Sequence, residues 1–225
     1  MISIYTPRSG DYSLAERRTD AAVHLIGLAA ALAAVPVLIV LAARWHGNMS
    51  VIAGVSVYGA SLIAMIGASA LYHMVPHPRW RGLFRRLDHA AIYVKIAGTY
   101  TPFAALSGGA GAGLVTGLWG AALAGVSLWV FAPGRFRWAM LALYLGMGWA
   151  GLAAGGTLLA TLSPSVFWLI VAGGVTYTLG VIFFLCERMP FHNTIWHVFV
   201  LAATVTFFVA VTLHLAATSV PVPHA

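Results

Sequence analysis

Two polar stretches of this sequence decide the fold. The first contains Ser69-Ala70-Leu71-Tyr72-His73, which closes one apolar run, and Leu87-Asp88-His89, which opens the next. The second, His192-Asn193-Thr194-Ile195-Trp196-His197, stands at the start of the last apolar run. Ionisable groups are costly inside a membrane and are functional candidates there. We therefore expect a fold in which these two stretches meet and build one site.

The composition is that of an integral membrane protein. The chain has 225 residues, of which 61% are hydrophobic and 8% are charged, and its mean hydropathy is +0.91. A soluble domain carries roughly a quarter charged residues, so one lipid-embedded helical bundle is expected. The net charge of +7 reflects basic loops rather than nucleic-acid binding, and membrane lipids are the expected partners. The single cysteine, Cys186, excludes an intramolecular disulfide and a cysteine-based zinc cage.

The apolar runs predict the class of the fold. Seven runs of about 20 residues are each long enough to cross a bilayer core of roughly 30 Å. They predict an all-α membrane protein, a seven-transmembrane-helix bundle at residues 20–217. Residues 1–19 are expected to form a cytosolic tail, and residues 218–225 a short outer tail. The spans are placed near 21–43, 51–74, 88–107, 112–131, 137–160, 165–186 and 194–217.

The arginines predict the orientation of this bundle. Nearly all loop arginines fall in the N-terminal tail and in the second, fourth and sixth loops, whereas Arg44 is the one arginine on the opposite side. Because positively charged loops stay inside, the N-terminus should be cytoplasmic and the C-terminus outside. We expect a multi-pass protein of the bacterial plasma (inner) membrane.

This topology brings polar side chains from four helices to one depth. Span 2 ends at His73, span 3 begins at Asp88, span 7 begins at His192 and His197, and span 1 carries His24 near the same level. All of them should lie near the cytoplasmic interface. Isolated histidines elsewhere are interpreted as hydrogen-bonded boundary residues: His46, His77, His214 and His224.

The residue types at this depth are those of a zinc site. Three imidazoles and a water molecule form a catalytic zinc arrangement, in which one position stays open for chemistry. Asp88 can accept a hydrogen bond from such a water or from an imidazole. Ser69 and His73 are four residues apart on one helical face, so the hydroxyl can orient the ring or bind a water beside it.

Lys95 stands apart from this group. It follows Asp88 by seven residues, lies on nearly the same helical face, and should be about 10 Å deeper. The other spans have no acid at that depth. We expect the amine to face a hydrated cavity or to be held neutral by desolvation. A retinal Schiff base would need a lysine on the last span, which has none.

The motifs resemble those of a known family. The sequence is similar to the hemolysin III group of bacterial membrane proteins, within the wider progestin and adipoQ receptor family, and the resemblance covers all seven spans. The matching motifs are Ser69-x-x-Tyr72-His73, Leu87-Asp88-His89, Ala97-Gly98-Thr99-Tyr100-Thr101-Pro102 and Ile195-Trp196-His197-x-Phe199-Val200.

The resemblance implies a zinc ion held by His73 and His197, with Asp88 as water partner or general base and Ser69 as a supporting residue. Where the family commonly has a second histidine in span 7, four residues before His197, this chain has Asn193. His192 precedes it and is taken as the third metal ligand, because Pro190 can make the start of the helix irregular. Asn193 and His24 are the alternatives.

Three classes of function follow from these features. The resemblance implies kinship with membrane hydrolases that include ceramidases, so a zinc-dependent lipid amide or ester hydrolase, or a factor in membrane-lipid homeostasis, comes first. The alternatives are a pore of the cytolytic hemolysin type and a lipid sensor or receptor without turnover. A transporter that uses Lys95 and Asp88 is a third class. A pore should have polar residues along a whole span, whereas here they cluster at one side.

Overall fold

A computed structural model describes residues 12–132 and 135–219 of the chain, and within these ranges it is helical without any strand. This confirms the all-helical class, while most of both predicted tails lies outside the described residues. The helices are α1 (Leu14–His46), α2 (Met49–Met74), α3 (Arg81–Leu106), α4 (Ala112–Phe131), α5 (Arg137–Ala154), α6 (Gly156–Leu159), α7 (Pro164–Leu185) and α8 (His192–Ala217).

Five of these helices are long and apolar enough to cross a membrane: α1, α2, α4, α7 and α8. Helices α3 and α5 correspond to the third and fifth predicted spans. The first half of α3 is polar because it carries three arginines, Asp88 and Lys95. It packs against α2, α4, α5 and α8, and Lys95 is buried in these contacts, whereas Arg86 is exposed.

Three helix ends differ from the predicted boundaries. Helix α3 begins at Arg81, seven residues before the predicted start of the third span at residue 88. Helix α1 begins at Leu14 because Ser13 and Glu16 form a capping box, in which the Ser13 hydroxyl accepts from the Glu16 amide and Glu16 accepts from the Ser13 amide. Part of the predicted cytosolic tail is therefore helical. The span predicted at 137–160 is interrupted after Ala154, where α5 ends and the short α6 follows.

Tyr100, from the Ala97–Pro102 motif, holds the last turns of α5. Its hydroxyl donates to the carbonyl of Gly148 at 2.6 Å and accepts from the amide of Gly151 at 3.2 Å. An ideal Cβ at Gly151 would lie 2.5 Å from the Tyr100 ring, so only glycine allows this approach. The motif therefore has a structural role in the contact between α3 and α5.

The core of the bundle combines large aromatic side chains with small residues. Tyr93 of α3 is fully buried and donates to the carbonyl of Met140 at 2.9 Å. Its ring lies against Gly125 of α4, where an ideal Cβ would be 2.5 Å from a ring carbon. Such small residues let helices approach closely in lipid. Here Gly125 allows α4 to pack directly against Tyr93 of α3.

We expect Gly125→Ala to lower the free energy of unfolding by about 1–3 kcal/mol, because the added methyl group overpacks the contact with Tyr93. Thermal unfolding in detergent measures the change. Gly120→Ala, also on α4, is the matched control, since an ideal Cβ there meets nothing within 4 Å. Equal stability of the two variants would contradict the packing described for Gly125.

Candidate metal centre

Helix α1 carries a stripe of three polar residues that are spaced four apart: Glu16, Asp20 and His24. Residues spaced by four lie on one helical face. Asp20 and His24 are both buried. The stripe faces α8 and α2, as its contacts with those helices show, and Asp20 lies at its centre.

Asp20 is bound by two histidines from different helices. One carboxylate oxygen, Oδ1, lies 2.6 Å from Nδ1 of His197 on α8, and the other, Oδ2, lies 3.4 Å from Nδ1 of His73 on α2. The two imidazole rings meet edge to face, with centroids 4.6 Å apart. We call Asp20, His73 and His197 the Asp–His–His cluster.

The Asp–His–His cluster has the donor set of a metal site. Each residue offers one ligand atom, and these atoms all lie within 4.8 Å of one another. Two imidazole nitrogens and one carboxylate oxygen form a known catalytic zinc combination that leaves a coordination position open. Imidazole also suits copper, iron and nickel, so the donor set indicates a transition metal without selecting one.

His24 and Ser69 stand beside this cluster. Nδ1 of His24 donates to the carbonyl of Asp20 at 2.8 Å, because a carbonyl can only accept, and Nε2 then accepts from the Ser69 hydroxyl at 3.0 Å. The His24 ring lies 4.3 Å from that of His197. Both nitrogens of His24 are thus already bonded, and Ser69 orients His24 rather than His73.

The structure does not bring His192 or Asn193 into the cluster. Nε2 of His192 lies 2.9 Å from the Tyr12 hydroxyl, which also accepts from Nδ2 of Asn193 at 2.9 Å. Burial raises the pKa of the Tyr12 phenol, so the phenol keeps its proton and donates it to His192. The third member of the cluster is therefore the carboxylate of Asp20 and none of the three residues considered from the sequence, His192, Asn193 and His24.

The start of α8 is fixed by α1. Phe191 precedes α8 with a positive φ of 58°, unusual for a residue with a side chain. Its amide donates to Oε1 of Glu16 at 2.8 Å, and the hydroxyls of Thr19 and Thr194 lie 3.4 Å apart. The same face of α1 therefore holds the first turn of α8 and, one turn further, His197.

Asp88 lies apart from the cluster but shares its cavity. Its Oδ2 lies 3.4 Å from Nδ1 of His89, which also donates to the carbonyl of Arg85 at 2.9 Å. The side chain of Asp88 is 14% exposed. A carboxylate in this position can accept a proton from a water molecule in the cavity.

The cavity joins the polar and apolar parts of the interior. Its volume is about 1470 Å³, and its wall includes His73, His197 and Asp88. Apolar side chains from α2, α3 and α8 form part of the wall: Met65, Ile66, Ile92, Val200 and Leu201. Charged side chains line it as well, among them Arg85, Glu187 and Arg188. Small-molecule sites combine apolar walls with convergent polar groups, and this mixed lining suits an amphiphile.

The sequence reasoning missed Asp20. This residue directly precedes the first apolar run and was not among the predicted site residues, although the spacing Asp20-x-x-x-His24 places both side chains on one helical face. That spacing was the signal that could have found it. His73 and His197 were predicted together, and the structure brings them together.

These features define an α-helical membrane protein with a candidate metal centre built by three helices. Residues 13–208 match the family described as Haemolysin-III related, and the chain belongs to that family. This confirms the resemblance noted from the motifs.

Individual relatives agree with this assignment. The chain is 38% identical to Hemolysin-3 of Bacillus cereus over 206 residues, covering 91% of this chain and 94% of the relative. It is 36% identical to the Hemolysin-3 homolog of Bacillus subtilis (strain 168) over 202 residues, covering 89% and 94%. The human Monocyte to macrophage differentiation factor is 30% identical over 166 residues, covering 69% of this chain and 67% of that protein, which supports the wider receptor family.

We expect Tyr12→Phe to lower the free energy of unfolding by about 1–2 kcal/mol, because both hydrogen bonds of the hydroxyl are lost next to the buried His192. Thermal unfolding in detergent measures the change. A double-mutant cycle with His192→Ala provides the control, since the two changes should together cost less than their sum. Strict additivity would contradict the bond between Tyr12 and His192.

Proposed function

We propose that this protein is a zinc-dependent membrane hydrolase that cleaves lipid amides or esters. The observation that carries this proposal is the Asp–His–His cluster in the wall of a large cavity that also has a group of apolar side chains in its wall. Polar catalytic groups and space for an acyl chain then lie side by side. Membrane lipids are accordingly the substrate class.

The proposal includes a seven-span topology in the bacterial plasma membrane. Helices α3 and α5 supply the two spans beyond the five apolar ones, and the N-terminus is cytoplasmic. The arginine distribution supports this orientation, because Arg79 lies between α2 and α3 and Arg81, Arg85 and Arg86 lie in the first turns of α3. The cluster then lies at the cytoplasmic side, where lipid headgroups of the inner leaflet can reach it.

Asp20, His73 and His197 would hold the zinc ion. When bound in such a site, zinc polarises a carbonyl group and makes a water molecule more acidic. The Ser69–His24 pair packs against His197 and keeps its ring from turning. Such supporting contacts orient the residues that bind a metal.

Asp88 is the proposed general base. Its carboxylate takes a proton from the water whose oxygen attacks the lipid carbonyl, and later gives this proton to the departing nitrogen or oxygen as the bond to the carbonyl carbon breaks. The ring of His89 lies beside this carboxylate, with Nδ1 3.4 Å from Oδ2. The apolar side chains along the cavity hold the acyl chain and exclude water from it.

We expect the protein, purified gently from membranes, to carry about one equivalent of zinc. Asp20→Ala, His73→Ala and His197→Ala should each reduce it below about half, because each removes one of three ligands. Mass spectrometry of the metal content measures this. His192→Ala and His46→Ala are the controls and should retain the metal. Zinc content that is unchanged in His73→Ala would rule out this centre.

We expect Asp88→Asn to retain zinc while lowering the turnover number by about 10²–10⁴-fold, since it removes the general base without removing a ligand. Hydrolysis of a fluorogenic lipid amide or ester in vesicles measures the rate. Glu187→Gln is the matched control, because Glu187 also lines the cavity. If the zinc-loaded protein cleaves neither type of lipid, the hydrolase proposal is wrong, and lipid binding without turnover would then indicate a sensor.

A further inference from the structure

The connection between α7 and α8 borders the mouth of the large cavity. Its residues line the cavity one after another: Cys186, Glu187, Arg188, Met189 and Pro190. Three of the five are also exposed, so this stretch lies between the cavity and the outside of the bundle. We call residues 186–191 the α7–α8 turn. Tyr12 and Glu16, at the start of α1, line the same cavity next to this turn.

The α7–α8 turn is attached to α1 through its last residue. The amide of Phe191 donates to Oε1 of Glu16 at 2.8 Å. Within the turn, the amide of Met189 donates to the carbonyl of Cys186 at 2.9 Å, and the amide of His192 donates to the carbonyl of Met189 at a longer 3.3 Å. The Glu16 carboxylate is therefore the point at which the end of the turn is held against the first helix.

Phe191 has a backbone conformation that its side chain disfavours. Its φ of 58° lies in the left-handed region, and within residues 12–132 and 135–219 it is the one residue other than glycine with a positive φ. A Cβ in this region lies too close to the following carbonyl oxygen. The Phe191 side chain is 37% exposed, so burial in the core does not hold it there. Strained residues persist only where other contacts hold them, and the bond to Glu16 is such a contact.

We propose that the α7–α8 turn is a lid on the cavity and that Glu16 is its latch. While Glu16 holds the Phe191 amide, the turn stays against α1 and narrows the mouth. When this bond opens, Phe191 returns to a favoured backbone conformation and the turn moves away, which admits an amphiphile. Strained residues are concentrated in ligand clamps and switch regions, and the ends of helices are usual hinges of lids.

Other contacts of α1 confine this motion to the turn. The Tyr12 hydroxyl bonds to His192 and Asn193 in the first turn of α8, and neither bond involves the Phe191 amide. Helix α8 therefore keeps its place when the latch opens. The lid controls access to the cavity of the proposed hydrolase and so rests on that function, whereas its opening requires neither zinc nor hydrolysis.

The chain carries its own probe of the lid, because Cys186 is its only cysteine and lies exposed in the turn. A nitroxide spin label on Cys186 of the full-length protein in nanodiscs reports the mobility of the turn by EPR spectroscopy. We expect the ratio of mobile to immobile label to rise about fivefold in Glu16→Ala, because one hydrogen bond is lost. In Glu16→Gln, whose amide oxygen still accepts this bond, the rise should be smaller.

Ser13→Ala is the matched control for Glu16→Ala. Oε2 of Glu16 also accepts from the Ser13 amide in the capping box of α1, so the loss of Glu16 weakens the start of α1 as well. Ser13→Ala removes the hydroxyl bond of the same capping box and leaves the bond between Glu16 and Phe191. We expect its spectrum to match the wild type. An equal rise in both variants would attribute the mobility to fraying of α1 and overturn the proposal.

A second pair of variants tests the strain at Phe191. Asparagine adopts the left-handed conformation more readily than alanine. In the Glu16→Ala background, we therefore expect a mobile fraction about twofold lower with Phe191→Asn than with Phe191→Ala. Equal mobility in the two would contradict strain as the force that opens the lid.

Entry into the cavity is measured by quenching of tryptophan fluorescence, because Trp129 and Trp196 line the cavity. Unlabelled protein is mixed rapidly with a stearamide that is brominated at mid-chain, and Trp196→Phe identifies the phase that comes from the cavity. We expect the rate of this phase to rise about fivefold in Glu16→Ala, as the mobile fraction does. It should stay at the wild-type value in Ser13→Ala, with and without a zinc chelator.

The outcomes separate the lid from the hydrolase. A more mobile turn with an unchanged rate of entry overturns the lid. So does the absence of a cavity phase in every variant, because a lid requires a cavity that the amphiphile enters. Faster entry in Glu16→Ala without hydrolysis of any lipid supports the lid and contradicts the hydrolase alone.

Discussion

The arrangement of the helices depends on one interaction, the contact of the Asp20 carboxylate with His197 and His73. A carboxylate that is taken out of water needs partners that compensate for its lost hydration. Here these partners come from α8 and α2, so that one side chain of α1 connects the first, second and last helices. The first helix cannot shift or rotate without leaving a buried charge unpaired.

The rest of the polar side of the bundle follows from the same face of α1. Four residues before Asp20, Glu16 binds the amide of Phe191 and fixes the start of α8. Four residues after Asp20, His24 bonds to Ser69 of α2. The helical repeat thus gives three evenly spaced residues four contacts with two neighbouring helices. The first helix is therefore part of the site and not only a membrane anchor.

The sequence predicted the helices well because apolar runs and charged loops are local signals. It also predicted that His73 and His197 meet, since the alternation of spans brings the end of α2 and the start of α8 to one depth. It did not predict helix α1 from Leu14, which depends on a capping box, or the contact of Asp20 with both histidines, which depends on how α1 is rotated. His192 was expected as a ligand from its position near His197. However, its bond to Tyr12 depends on a segment outside the apolar runs.

The two buried polar regions differ in charge, and this difference indicates different chemistry. Around the Asp–His–His cluster, carboxylates from α1 and α3 face imidazoles, and such a set of acceptors and nitrogen donors suits a cation. Around Lys95 lie the aromatic rings of Tyr177 and Phe207, and no described acid forms an ion pair with its amine. The charge of the buried polar groups thus changes along α3, from the carboxylate of Asp88 to the basic side chain of Lys95, about 10 Å further along the same helix.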